Sequence, residues 1–423
     1  MTNPLVTRTD CYLRSACVME FFCRKKKNFR AAVSLTLIFA TLLMFQKLTT
    51  VDPNIKGDKV KSRWCGPECS SFKRKSIKAV ENASQSRGND LAQVGKPMPK
   101  QWDVTRIKCS ENSTIKTQAW FRRLNPRFRE FVLHRHCRYF PMLLNHPEKC
   151  NVSGDVDVLV VVKSVIEEHD RREAVRQTWG KEQEIQGLKI KTLFLLGTPA
   201  TGKDARNLQA LVQYEDRTYG DILQWDFMDT FFNLTLKEVN FLRWFNIYCS
   251  GVPFIFKGDD DVFVHTKNLV ELIGFRVEEN RAENLILGDT IFEAKPIRNH
   301  QSKYFIPKEL YDRRYPPYLG GGGFLMSSQV ARKLFVVSES VELYPIDDVF
   351  LGMCLQKLQI VPELHLAFRT FGIIKRKVTP LNREPCFFRN LIVVHKLVPQ
   401  ELMHMWNLVQ NEDLSCARQV VID

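Results

Sequence analysis

Three consecutive carboxylates, Asp259, Asp260 and Asp261, interrupt an apolar run that reads Val252-Pro253-Phe254-Ile255-Phe256, then Lys257-Gly258, before them and Val262-Phe263-Val264 after them. Like charges at the end of a buried segment repel one another and lose hydration, a cost that a cation or hydrogen-bond donors must offset. Hard divalent cations take carboxylate oxygen, so a metal site explains the triplet better than an acidic surface turn, which polar residues would flank. Extended chain alternates its side chains, which puts Asp259 and Asp261 on one face and Asp260 on the other. A cation held there would stabilise the negative charge that builds on a departing diphosphate, with no proton donor needed.

A second acidic pair, Asp347 and Asp348, follows Tyr344-Pro345-Ile346 and precedes Val349-Phe350-Leu351, the pattern of a helix N-terminus with an apolar face behind it. A single aspartate there serves as an N-cap or a first-turn acid, and two exceed that need. Adjacent helical side chains diverge by about 100°, so one of the pair can meet a substrate while the other caps the helix or supports the pocket. Asp348 is the candidate general base, removing a proton from an attacking hydroxyl, and Asp347 the cap. The run Tyr315-Pro316-Pro317-Tyr318-Leu319-Gly320-Gly321-Gly322-Gly323 predicts a turn whose glycines let backbone approach a ligand closely. Arg172 and Arg176 lie four apart, hence on one helical face, and with Trp179 could grip a nucleotide; surface salt bridging explains the arginines equally well. His395, after Val393-Val394, reads as a core histidine on its own spacing.

Elements that alternate strand with helix must position these groups. Apolar, β-branched runs at residues 156–162, 190–196, 254–256 and 285–287 predict buried, mostly parallel strands, separated by helical patterns at 171–179 and 234–248. The fold class is therefore α/β, an open twisted sheet flanked by helices, whose ligands bind beyond the carboxyl ends of the strands. The triplet sits at such an end.

The N-terminal part carries a different message. Residues 31–48 form an apolar stretch preceded by Arg24, Lys25, Lys26, Lys27 and Arg30, which predicts a single transmembrane signal anchor with residues 1–30 cytosolic and the rest lumenal. Residues 49–100, rich in Lys, Ser, Gly, Asn and Pro, predict a stem, residues 101–153 an N-terminal part of the lumenal body and residues 154–416 the catalytic domain. Four N-glycosylation sequons, at Asn82, Asn112, Asn151 and Asn233, all follow the anchor. Nine cysteines follow it too, which predicts structural disulfides in an oxidising compartment and, the number being odd, at least one thiol without an internal partner. The formal charge is +15, and the seven Lys/Arg against two Asp/Glu of residues 1–30 account for only part of it. A basic stem and solubility are one explanation; attraction to an anionic acceptor such as a sulfated glycan is the other. A lumenal body excludes nucleic acid as a partner.

Taken in order, Arg171-Arg172-Glu173-Ala174-Val175-Arg176-Gln177-Thr178-Trp179-Gly180, Tyr219-Gly220-Asp221-Ile222, Phe231-Phe232-Asn233-Leu234-Thr235-Leu236-Lys237, the Asp triplet, the glycine run and the Asp347 pair resemble the β1,3-glycosyltransferase family, and within it the β1,3-N-acetylglucosaminyltransferases. The resemblance implies a GT-A-like fold, inverting transfer, UDP-GlcNAc as donor, Mn²⁺ or Mg²⁺, and galactose-terminated glycans of the poly-N-acetyllactosamine or keratan type, on glycoproteins or proteoglycans, as acceptor. It also implies a Golgi membrane protein of single-pass type II topology. Carried over by position, it makes Asp261 and His395 metal ligands and Asp348 the base. Asp259, Asp260, Arg172, Arg176 and Asp221 fall on the donor side, and Gly321, Gly322 and Asp347 in the sugar and acceptor pocket. A β1,3-galactosyltransferase using UDP-Gal is the nearest alternative. A carbohydrate-binding module that uses the metal without catalysis is a more distant one, and a glycosidase would need a neutral carboxylic acid and no metal.

Overall fold

The computed structural model describes residues 99–150, 156–200, 202, 204–371 and 383–416. The candidate anchor, the stem up to residue 98 and the sequons at Asn82 and Asn151 lie outside the described residues, among which no helix is long and apolar enough to cross a membrane.

Twelve strands appear among the described residues: β1 (Met142–Leu144), β2 (Val158–Lys163), β3 (Gln183–Ile185), β4 (Leu188–Thr198), β5 (Ile222–Met228), β6 (Phe254–Asp259), β7 (Val262–Val264), β8 (Ile286–Ile291), β9 (Tyr318–Ser327), β10 (Glu363–Leu364), β11 (Phe368–Arg369) and β12 (Val393–His395). Nine form the main sheet, in the order β1-β5-β4-β2-β6-β9-β8-β10 with β3 paired to β4, and β11-β12-β7 form a small second sheet. The helices are α1 (Ala119–Arg123), α2 (Arg129–His134), α3 (His169–Gln177), α4 (Ala205–Tyr219), α5 (Leu234–Tyr248), α6 (Thr266–Glu278), α7 (Ser328–Ser338), α8 (Asp347–Lys357), α9 (Pro385–Asn390) and α10 (Pro399–Gln410).

Strand β2 explains the sheet's design. Its sequence Val-Leu-Val-Val-Val-Lys is buried throughout, the mark of a central parallel strand covered on both faces. Leu159 and Val161 join one core, with Trp225, Trp244, Phe245 and the apolar sides of α5, α7 and α8. Val158, Val160 and Val162 join the other, with Trp179, Phe256, Ile273 and Val393. Parallel pairing runs through β5, β4, β2 and β6. Because β4 and β6 flank β2 on opposite sides, the chain reverses its direction of travel across the sheet at β2. Ligands gather at such a point, beyond the strands' carboxyl ends. There Lys163 of β2 lies directly beside Asp259 of β6.

One expectation needs correction. The glycine run forms the core of β9, antiparallel to both β6 and β8, and no glycine in it has positive φ; Pro316 and Pro317 end just before the strand, and beyond the glycines the strand is buried on both faces, Phe324 and Met326 joining one core and Leu325 the other. The glycines are needed for space, as shown below. Residues 119–144 also share the first core through Phe121, Phe128, Val132 and Phe140. They give the sheet its edge strand β1 and are tied to the end of α5 by the Cys150–Cys249 disulfide. Cys109–Cys137 and Cys386–Cys416 also pair, while Cys354 is a buried thiol whose ionisation burial pushes up to about 12.

Candidate active site

The Asp triplet straddles the end of β6. Asp259 is its last residue, and the chain turns through Asp260 and Asp261 into β7. Strand β7 pairs with β12 so that Val262 faces His395, which delivers the histidine to the acid cluster from more than 130 residues away. His395 Nε2 lies 2.9 Å from Asp261 Oδ1 and 3.8 Å from Asp259 Oδ2. Lys396, in the left-handed region at φ 74°, lets its own N–H and that of Leu397 both donate to the Asp261 carbonyl. A non-glycine residue holds that conformation at a cost of about 1–3 kcal/mol, here one that anchors Asp261. The Asp260 carboxylate lies 3.3 Å from Arg171 Nη1, which is also 3.6 Å from Asp261. Burial pushes the Asp260 acid up to about 6 against the pull of Ser164 and Arg171.

The second acid pair approaches from α8. Asp347 is buried and makes a 2.7 Å ion pair with Lys163, which also reaches Asp259 at 3.2 Å and Asp348 at 3.9 Å. One buried ammonium thus sits at the centre of three carboxylates drawn from two elements. Asp347 makes no side-chain cap to α8, which corrects its assignment as the N-cap. Burial raises the proton affinity of Asp347, and Lys163 outweighs that and holds it ionised. Asp348 behaves oppositely: burial, and then the neighbouring Asp347 charge, push its acid well above the usual carboxylate range. Environments that drive two neighbouring acids apart mark an acid–base assignment, and Asp348 is the one that attracts a proton.

The glycines of β9 accommodate these side chains. A methyl at Gly321 would lie 2.9 Å from Asp348 Oδ2, one at Gly322 3.1 Å from His395 Cβ, and one at Gly320 2.4 Å from Thr370 Oγ1. The strand therefore brings Asp348, His395 and Thr370 against its bare backbone. A wall of aromatic residues continues outward, with Tyr318 against Gly352 of α8 and its hydroxyl acidity suppressed by burial and by Asp348.

Not every candidate joins this site. Arg172 is fully buried. Its Nε and Nη2 hold Glu215 at 2.8 Å each, Nη1 donates to Ser164 Oγ and the Val165 carbonyl, and Nη2 to the Ile166 carbonyl. Arg176 grips Asp221 at 2.8 and 2.9 Å and Glu215 at 2.7 Å, under the ring of Tyr219. Burial would raise the Glu215 acid, but Arg172 and Arg176 bring it down to about 2. Trp179 is buried edge-on against Phe256. The reading of Arg172, Arg176, Trp179 and Asp221 as a nucleotide grip is thus corrected to an internal ionic knot that ties α3 to α4 and β5. Among the described sequons, Asn112 accepts from the Thr114 backbone, whereas Asn233 donates to the Met228 carbonyl and its Thr235 hydroxyl is buried on the Tyr344 carbonyl.

Lys163, Arg171, Asp289 and Thr370 escaped the sequence reading. Lys163 and Asp289 carry the same signal as the triplet, a charge where an apolar strand ends. Arg171 is separated from its role only by helical phase, and nothing local marks Thr370.

Asp259, Asp261 and His395 present ligand atoms that all lie within 4.8 Å of one another. This set of carboxylate oxygens and one imidazole suits a divalent cation, and Gly322 leaves the ring room, so the residues fit a metal ion.

Comparison with known proteins agrees with this architecture. The family model described as Galactosyltransferase matches residues 170–365. The chain is 55% identical over 323 residues to UDP-GlcNAc:betaGal beta-1,3-N-acetylglucosaminyltransferase 7 of Rattus norvegicus, covering 75% of this chain and 80% of that protein. It is 46% identical over 299 residues to UDP-GlcNAc:betaGal beta-1,3-N-acetylglucosaminyltransferase 9 of Homo sapiens, covering 67% and 74%. With N-acetyllactosaminide beta-1,3-N-acetylglucosaminyltransferase 3 of Homo sapiens it shares 40% over 316 residues, covering 74% and 84%.

Proposed function

We propose, for a chain that belongs to the β1,3-glycosyltransferase family of these relatives, an inverting transfer of GlcNAc from UDP-GlcNAc to the 3-hydroxyl of a terminal galactose. The observation that carries the reaction class is the pairing of two acid groups of opposite character at the switch point of the sheet. One is a partly exposed carboxylate with raised proton affinity, Asp348; the other is a metal-compatible trio, Asp259, Asp261 and His395.

In a single in-line displacement, the acceptor oxygen forms its bond to the anomeric carbon as the bond from that carbon to the UDP oxygen breaks, and the hydroxyl proton passes to Asp348. Lys163 fixes Asp347 and lies within reach of Asp259, so it holds the base helix against the donor end. Gly321 keeps the Asp348 carboxylate at the strand surface. Asp259, Asp261 and His395 would hold Mn²⁺ or Mg²⁺, and such an ion supplies charge stabilisation to the departing diphosphate. Arg171, beside Asp260 and Asp261, adds a positive group at the same edge. The basic body supports galactose-terminated acceptors that include sulfated chains, and the apolar stretch at 31–48 with its basic flank supports a type II anchor in the Golgi membrane.

The full-length protein, incubated with a panel of UDP-sugars and with neutral and sulfated galactose-terminated acceptors, is expected to transfer GlcNAc in β1,3 linkage and to stop when the metal is chelated. Transfer from UDP-Gal in preference to UDP-GlcNAc would overturn the donor assignment.

A further inference from the structure

Two hydrogen bonds behind His395 are explained neither by the packing of the fold nor by the direct ligand set. The Nδ1 of His395 lies 3.0 Å from the Thr370 carbonyl, which can only accept, so Nδ1 carries its proton toward Thr370. The Thr370 backbone N–H in turn donates to Asp289 Oδ2 at 3.0 Å. Asp289 lies within β8, Thr370 follows β11 and His395 ends β12, so the chain of bonds crosses from the main sheet to the small one. Gly320 opens the space for it: any Cβ there would fall 2.4 to 2.9 Å from three atoms of the Thr370 side chain.

On the reading that Asp259, Asp261 and His395 bind a divalent cation, we propose that Asp289 is a positioning residue for that site. Through the Thr370 backbone it clamps the Nδ1–H of His395, so that the Nε2 lone pair is directed at the place a cation would take beside Asp261 and Asp259. An imidazole ligand works in only one orientation and one tautomer, and both are set by what the other ring nitrogen donates to. Thr370 supplies that acceptor from a short segment after a two-residue strand, and a backbone group in such a segment holds its place only if something else holds the peptide. The Asp289 carboxylate does so from the rigid main sheet. The Thr370 side chain plays no part in the relay, because both bonds use the backbone.

Removing a partner behind a metal-bound histidine weakens metal binding by about 10- to 100-fold. Mn²⁺ binding to the full-length protein in the presence of UDP, measured by the electron paramagnetic resonance of free Mn²⁺, reads this directly and without turnover. Asp289→Ala is expected to raise the Mn²⁺ dissociation constant at least about tenfold, with kcat recovering at saturating Mn²⁺. Asp289→Asn, which keeps an oxygen in place to accept from Thr370, should stay within about threefold of the parent. Asp289→Glu, which keeps the charge but moves it by one methylene, should fall between them. Wild-type Mn²⁺ affinity in Asp289→Ala, alongside loss of affinity in His395→Ala, would overturn the relay and leave the metal site standing. Unchanged affinity in His395→Ala would overturn the metal reading itself. Should Asp289→Ala fail to fold, the ordering of the Asn and Glu variants decides, and a Glu variant that binds as well as the Asn variant contradicts the proposal.

Discussion

Arg171 and Arg172 are neighbours on one helix, and they end in two clusters of charge built on opposite logic. Arg172 enters the knot with Glu215, Arg176 and Asp221, where each carboxylate is gripped by a guanidinium and the side chains are buried, while Arg176 Nη1 has no hydrogen-bond partner. Arg171 leans toward Asp260 and Asp261, at the edge of a cluster in which Asp259, Asp261 and Asp348 stay partly exposed and share a single buried lysine and one histidine. In the first cluster every carboxylate finds its guanidinium partner within the protein. The second has more acceptor capacity than donors and opens to solvent, and such an excess is what a cation and a substrate would satisfy. Saturation, more than charge or spacing, separates the structural ions from the functional ones.

The sharpest way to break that contrast is to strip one member from the sealed knot. Arg172→Met leaves Glu215 buried with fewer partners, and breaking a buried pair by removing one side costs about 3–5 kcal/mol. The midpoint of chemical denaturation should fall accordingly, while UDP affinity of the folded fraction stays as in the parent. A folded variant of normal stability that has lost UDP binding would move the knot back to the donor site.

Next in size is the base. Asp348→Asn should lower kcat by at least about 10²-fold, the low end for losing a general base, with UDP-GlcNAc affinity and melting temperature little changed. Asp347→Asn should instead lose stability along with turnover, because it removes the 2.7 Å partner of Lys163 and leaves that ammonium less completely paired. Near-normal turnover in the first variant, with a dead but stable second, would exchange the two roles.

A smaller effect tests a second histidine, the buried His265. His265 begins α6, its ring nitrogen accepting from the Asn268 backbone, and burial lowers its pKa to about 4. An unfolded histidine titrates near 6.5, so between about 6.5 and 4 the unfolded state binds a proton that the folded one refuses. Stability therefore falls with falling pH in that window, by at most about 1.4 kcal/mol per unit. His265→Asn, which can cap but not titrate, should flatten that slope; an unchanged slope would show that His265 does not carry it.

The parts legible in the sequence were those with a local signature. The continuous apolar runs of β2, β4 and β6 announced buried parallel strands, and the Asp triplet announced a strand end, because each is decided by neighbours in the chain. The glycine run misled, since its signature is that of a turn: the bulk that excludes side chains there belongs to Asp348, His395 and Thr370, which arrive from other elements. Arg172 and Arg176 misled for the same reason, their partners Glu215 and Asp221 lying some 40 residues on. Strand β5 was overlooked because Gln224 and Asp226 break its apolar run. Lys163 and Asp289 could have been found by extending to every strand end the rule applied to the triplet.

The central claim is that the unsaturated cluster is a metal-assisted diphosphate site. Its direct test is the binding of UDP to Asp261→Asn and to the parent protein by titration calorimetry, with Mn²⁺ and with chelator. The parent should bind UDP more tightly with Mn²⁺ than without, and the variant should be folded and show no Mn²⁺-dependent gain. A variant that keeps the full gain would contradict the account.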